Sequence, residues 1–94
     1  MNNKEIEDRR KMLVTYISYY LTKDLKMRDV LVGIKDTLVK GSKISVRQFM
    51  AVIRFVEREK PFKGSSHGEI MDYFKPLIKG YRKEYMNDTT RSLY

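Results

Sequence analysis

The sequence contains no cysteine, and it has only two prolines, five glycines and one histidine. Without cysteine the chain can form neither disulfides nor thiolate metal sites, which fits a reducing compartment. The apolar runs are too short to span a membrane, and the polar N-terminal segment lacks the apolar core of a signal peptide. We therefore expect a cytoplasmic protein with no membrane segment.

Residues typical of catalytic and metal sites are equally scarce. The one histidine, His67, lies in no HExxH motif and has no Cys/His spacing around it. We interpret it as a solvent-exposed residue in the first turn of a helix. Asp24, Asp29 and Asp36 alternate with basic residues, which is typical of a solvated helix face rather than of a catalytic carboxylate pair. We predict a non-enzymatic protein without a metal or a cofactor.

What the sequence has in excess is positive charge. Twenty Lys and Arg residues stand against twelve Asp and Glu residues, giving a formal net charge of +8 and a pI near 9.8. This balance favours an anionic partner. The length of 94 residues and the hydrophobic content of 41% predict a single helical domain over residues 1–87, followed by a flexible C-terminal tail over residues 88–94.

Apolar residues recur at helical spacing in four segments, and no segment shows the two-residue period of a strand. The four predicted helices run approximately over residues 4–21, 23–39, 46–60 and 67–85. The predicted buried face of the second helix contains Met27, Val30, Leu31, Ile34 and Leu38. In the third helix Phe49, Val52, Ile53 and Val56 are predicted to face inward, and Val46, Met50 and Phe55 widen the apolar stripe. Short connections favour antiparallel neighbours, so the sequence predicts an all-α fold, a small bundle of about four helices.

Three of the helices begin at recognisable sequence signals. Ser45 with Gln48, and Ser66 with Glu69, match the capping box, in which the first side chain and the third helical residue bond each other's backbone amides. Thr22 precedes the second apolar pattern, and we predict that its hydroxyl caps the second helix.

The helix ends are signalled by glycine and proline. Gly41 follows the second pattern and is suited to a left-handed residue after a helix, while Lys60-Pro61 ends the third helix. Pro76 falls inside the fourth pattern, where it removes a backbone donor and clashes with the carbonyl of Asp72. The fourth helix is therefore predicted to be kinked or broken near Phe74-Lys75.

A stripe of arginines is the clearest functional signal. Arg47, Arg54 and Arg58 fall on one face of the third helix, because their spacing is close to multiples of 3.6 residues, and the small Ala51 completes the row. Only Arg47, near the start of the helix, is suited by its donor fork and position to read guanine. We predict that the stripe contacts phosphates without sequence-specific reading.

A second basic row is predicted on the fourth helix. It consists of Lys75, Lys79, Arg82 and Lys83, with Lys40, Lys43 and Lys63 expected around it. If the two helices pack with these rows on adjoining faces, the rows form one continuous nucleic-acid-binding patch. If they do not, the rows are independent solvated faces, and both alternatives are open at this point.

Two functions agree with these features. The first is a small, basic, non-enzymatic nucleic-acid-binding or regulatory accessory protein that contacts the DNA or RNA backbone. Tyr19 and Tyr73, which lie towards the polar side of their helices, are then candidates for stacking on bases. The alternative is a protein-interaction adaptor or inhibitor, whose arginine stripe docks on an acidic partner protein.

Overall fold

The computed structural model describes residues 2–23 and 26–81. The elements in chain order are α1 (Asn3–Leu21), α2 (Arg28–Val39), β1 (Ile44–Ser45), α3 (Val46–Val56), α4 (His67–Tyr73), a 3-10 helix (Lys75–Leu77) and β2 (Ile78–Lys79). The predicted all-α class and the number of helices are confirmed, with one small parallel strand pair in addition. The predicted domain boundary at residue 87 and the predicted tail lie outside the described residues.

Both predicted capping boxes are present. The Gln48 amide donates to Ser45 Oγ at 3.0 Å, and the Ser45 amide donates to Gln48 Oε1 at 2.9 Å. The matching distances for Glu69 and Ser66 are 3.1 and 3.2 Å. Each box satisfies two amides of a helix start that would otherwise have no intrahelical partner, and thereby fixes where α3 and α4 begin.

The predicted start of the second helix is wrong. The Thr22 hydroxyl donates to the carbonyl of Tyr19 at 2.6 Å, so Thr22 closes α1 and is not available to cap α2. Helix α2 begins later, at Arg28, and its N-cap residue Met27 makes no side-chain capping bond. As a result Met27 and Val30, which were predicted to be buried, are 38% and 48% exposed.

The ends of the last two helices also differ from the prediction. Helix α3 stops at Val56, and turns occupy the chain from there to Gly64. Helix α4 stops at Tyr73, so the predicted break before Pro76 is confirmed, but the predicted helical continuation beyond it is wrong. Instead, β2 pairs in parallel with β1, with Ile78 opposite Ile44. A strand of two residues shows no periodicity, and the sequence therefore gave no sign of it.

One hydrophobic core joins these elements. It contains Leu13, Ile17, Leu31, Ile34, Leu38, Ile44, Phe49, Val52, Ile53, Val56, Phe62, Ile70, Met71, Phe74, Leu77, Ile78 and Tyr81. No polar or charged residue within the described ranges is buried. Burying each large apolar side chain stabilises the fold by about 1.5–3 kcal/mol, which holds the inner face of α3 firmly against the core. No helix in this part of the chain is long and apolar enough to cross a membrane.

Candidate nucleic-acid interface

Two of the three arginines of the predicted stripe lie on α3. Arg47 is in the first turn of the helix and Arg54 is in its last turn, about 10 Å further along at 1.5 Å of rise per residue. The prediction that Arg58 lies on the same helix is wrong, because α3 ends at Val56 and Arg58 lies in the turn that follows. All three side chains are exposed, and the other side of α3 is held by the core.

The remaining arginines of the described ranges are tied to backbone carbonyls. Arg9 donates to the carbonyl of Tyr73 at 2.6 Å and lies 4.1 Å above the Tyr73 ring centroid. Arg28 donates to the carbonyl of Leu21 at 2.8 Å. Arg10 donates to the carbonyls of Leu38 and Ser42, each at 3.1 Å. These three side chains therefore hold α1 against α2 and against the end of α4, and their charge is engaged in the fold.

Arg47, Arg54 and Arg58 differ from that set in a decisive way. None of them makes a hydrogen bond or an ion pair with any residue of ranges 2–23 and 26–81. The two nearby carboxylates on the chain are occupied elsewhere. Glu57 Oε2 lies 2.6 Å from His67 Nε2, and Glu59 accepts from the Tyr20 hydroxyl at 2.7 Å. Within the described ranges, the guanidinium groups of the stripe therefore have no carboxylate bound to them.

Two tyrosines of α1 anchor the C-terminal end of the stripe. The hydroxyl of Tyr16 donates to the carbonyl of Lys60 at 2.9 Å, and the hydroxyl of Tyr20 lies 3.0 Å from the carbonyl of Phe55. Burial, and then the hydrogen bond to Glu59, raise the pKa of Tyr20 to about 12, although the positive charge of Arg58 opposes the shift. Burial likewise raises the pKa of Tyr16. Both tyrosines stay neutral at pH 7 and act as hydrogen-bond donors.

Strand pairing brings two of the predicted lysines to the start of α3. Lys79 is the register partner of Ser45, which immediately precedes α3, and adjacent strands lie about 4.8 Å apart. Lys43 lies two residues before Ser45 on the same chain. Lys43, Arg47 and Lys79 are all exposed and gather at the N-terminal end of α3, where the helix dipole is also positive. The basic surface therefore extends beyond the helix.

The predicted basic row of the fourth helix does not form. Lys75 lies in the 3-10 helix and Lys79 in β2, so they do not share a helix face. Arg82 and Lys83 lie outside the described residues. Lys75 instead borders an open cavity of about 570 Å³ together with Arg9, Tyr73 and the carboxylates of Glu69 and Asp72. Its surroundings carry charges of both signs, unlike those of the α3 stripe. Only Lys79 is placed near α3 by an observed contact.

The tyrosines proposed for base stacking have different surroundings. Tyr73 is covered on one face by Arg9 and packs edge to face against Phe62 and Phe74. Tyr19 is 53% exposed, with Lys23 Nζ 5.1 Å from its ring centroid. Tyr19 is therefore the one of the two with an accessible ring.

A groove beside the stripe was not predicted. It is a cavity of about 260 Å³ lined by Met27, Met50, Ala51, Arg54, Phe55 and Arg58. Met50, which was predicted to widen the apolar stripe of the third helix, is 38% exposed. The groove could not be read from the sequence, since it depends on Met27, the residue before α2, lying beside α3.

Comparisons with protein-family models, with curated proteins and with solved structures find no match for this chain. Within the described residues, no group of three or more His, Cys, Asp or Glu side chains is placed to hold a metal ion. The candidate interface consists of helix α3, three arginines that make no hydrogen bond or ion pair within the described ranges, the exposed Lys43 and Lys79 near the start of the helix, and the groove near its end.

Proposed function

We propose that this chain is a small, non-enzymatic, cytoplasmic accessory protein that binds the phosphate backbone of nucleic acid through the outer face of α3. Arg47, Arg54 and Arg58 contact successive phosphates, and Lys43 and Lys79 extend the contact past the start of the helix. The observation that carries the proposal is that these arginines have no partner in the described fold, whereas Arg9, Arg10 and Arg28 do.

Phosphate contact explains why the stripe is made of arginine. Guanidinium groups remain charged at any physiological pH and bind phosphate oxygens through two parallel hydrogen bonds. Arg47 and Arg54, about 10 Å apart on a helix that the core holds in place, meet separate phosphates without ordering a flexible loop. Such contacts fix the position of the protein on the nucleic acid and carry no sequence information, which agrees with the shortage of base-reading side chains on α3.

The test is a salt titration of binding to duplex DNA with two variants of equal net charge. In the first, Arg47, Arg54 and Arg58 are all changed to Gln, which keeps helix propensity and leaves the apolar face untouched. In the control, Lys4, Lys11 and Lys35 on α1 and α2 are changed to Gln instead. Each lost phosphate contact should flatten the slope of log affinity against log salt by about 0.9, or about 2.7 for the stripe variant.

The control variant should change that slope by less than one contact. Equal effects of both variants would mean that the overall charge, and not the stripe, attracts nucleic acid. If the parent protein binds no DNA or RNA at low salt, the proposal fails. The stripe then belongs to an acidic protein partner, which nuclease-treated co-purification should retain and the stripe variant should release.

A further inference from the structure

We propose that the groove beside α3 holds one unstacked base of a single-stranded nucleic acid, while Arg54 and Arg58 bind the phosphates on either side of it. This inference rests on the proposed function and deepens it, because it names the form of nucleic acid that the surface prefers. It is carried by the shape, the lining and the charged border of the groove.

The floor of the groove is apolar and partly fixed. Phe55 packs on the Tyr20 ring with centroids 4.6 Å apart. The small side chain of Ala51 lies between Met50 and Phe55 in the lining of the groove. The Phe55 ring is held in place by its packing on Tyr20 of α1, which fixes this side of the groove.

The two methionine side chains that line the groove are adaptable. Met27 and Met50 are each 38% exposed, and both are unbranched thioethers with three rotatable bonds. Thioether sulfur makes favourable contacts with the edges of aromatic rings, so these side chains can adjust to a flat ring inserted between them. In the unbound protein their exposed apolar surface contributes nothing to stability, and covering it provides part of the binding energy.

The border of the groove selects for an occupant with regularly spaced negative charge. Arg54, in the last turn of α3, and Arg58, in the turn that follows, both line the groove, and neither makes a hydrogen bond or an ion pair within the described ranges. A single strand supplies one phosphate on each side of every base, and its unpaired bases are free to leave the stack. A duplex keeps its bases stacked inside and presents only phosphates. The volume of about 260 Å³ lies just below the range of about 300–1,000 Å³ typical of sites for drug-sized ligands, which suits one ring system.

An acidic peptide is the competing occupant. It also offers negative charge and apolar side chains, but it does not place a planar ring between two regularly spaced anions. The cationic surface also continues from the groove along α3 to Arg47, Lys43 and Lys79, as a track for a continuous strand requires. These features favour single-stranded nucleic acid.

The first arm of the test changes the ligand and leaves the protein intact. Fluorescence anisotropy at low salt compares an oligothymidine strand, the same sugar–phosphate strand made of abasic sites, and a duplex of equal length. The parent protein should bind the oligothymidine at least about fivefold more tightly than the abasic strand, since one base stack contributes that much or more. Equal affinity for the two strands would overturn the inference while leaving the proposed phosphate binding intact.

The second arm fills the groove. Ala51→Leu adds apolar bulk to the floor without changing charge, and Val32→Leu adds the same bulk at an exposed position of α2 outside the groove. Ala51→Leu should weaken oligothymidine binding about fivefold or more and leave duplex and abasic binding within twofold, while Val32→Leu should change none of them. Circular dichroism confirms that both variants are folded.

The remaining outcomes are separable. If Ala51→Leu weakens strand and duplex alike, or weakens neither, no base enters the groove and the inference is wrong. If the parent binds none of the oligonucleotides, the proposed function fails as well. A designed acidic amphipathic peptide then serves as the next probe, and tight binding of that peptide, lost in Ala51→Leu, would assign the groove to a protein partner instead.

Discussion

Replacing Arg10 with Met tests whether this arginine stabilises the fold. The substitution preserves the apolar stem and the helix propensity of the side chain. It removes the two 3.1 Å hydrogen bonds to the carbonyls of Leu38 and Ser42, and the exposed ion pair with Glu7. Hydrogen bonds to a charged group contribute about 1.5–3 kcal/mol each, and an exposed helical ion pair about 0.3–0.5 kcal/mol.

The lower end of that range applies at both carbonyls. The carbonyl of Leu38 still accepts from the Gly41 amide at 3.0 Å, and the bond to Ser42 is exposed to solvent. We therefore expect Arg10→Met to lower the free energy of unfolding by about 3 kcal/mol, measured by urea denaturation followed by circular dichroism. The midpoint should fall while the slope of the transition stays the same.

Arg47→Met is the matched control. Arg47 is also a helical arginine, but it is exposed and without a partner in the described ranges, so its loss should change stability by less than about 0.5 kcal/mol. Equal destabilisation by the two substitutions, or an Arg10→Met protein as stable as the parent, would refute the division of the arginines into bound and unbound sets.

Two further predictions concern the core and the tyrosine anchor. Ile53→Ala should lower the free energy of unfolding, measured by urea denaturation, by about 2–5 kcal/mol, because Ile53 is only 1% exposed. The control, Val32→Ala on the surface of α2, should lower it by less than about 1 kcal/mol. Similar values for the two variants would contradict the placement of α3. Since the pKa of Tyr20 is about 12 in the fold and about 10 when unfolded, its contribution is complete below pH 10 and is lost as the pH rises towards 12. Above pH 10 the free energy of unfolding should therefore fall by about 2–3 kcal/mol less in Tyr20→Phe than in the parent. Parallel pH profiles for the parent and the variant would contradict this prediction.

The parts of the fold that the sequence predicted correctly depend on neighbours along the chain. Ser45 and Ser66 each cap a helix through a residue three positions away, so the whole interaction is visible in the sequence. Pro76 breaks its helix through its own missing amide. Arg47 and Arg54 belong to this class too, because an amphipathic helix positions its polar face by periodicity alone, whereas Arg58 lies beyond the end of that helix.

The parts that were missed depend on contacts between distant segments. The Thr22 hydroxyl lies between two helices and can bond to the backbone of either one. It donates to the carbonyl of Tyr19 at the end of α1 and does not cap α2. Lys79 is brought near α3 by a strand pairing of only two residues. The groove forms because Met27, the residue before α2, lies beside α3. His67 is exposed in the first turn of α4, as predicted, and its 2.6 Å contact with Glu57 connects α4 to the residue after α3. None of these contacts leaves a periodic trace in the sequence.

The parallel pairing of β1 with β2 also bears on when the binding surface forms. Helices and their caps form from contacts between residues that are close in the sequence. The pairing of β1 with β2 instead requires the two ends of residues 46–77 to meet. The loss of chain entropy on closing this loop occurs before the contacts that compensate for it are formed. We expect Lys79 to join Lys43 and Arg47 only once that loop has closed around the core. The full cluster of cations is then a property of the completed fold, and a nascent or partly unfolded chain presents the arginine helix without it.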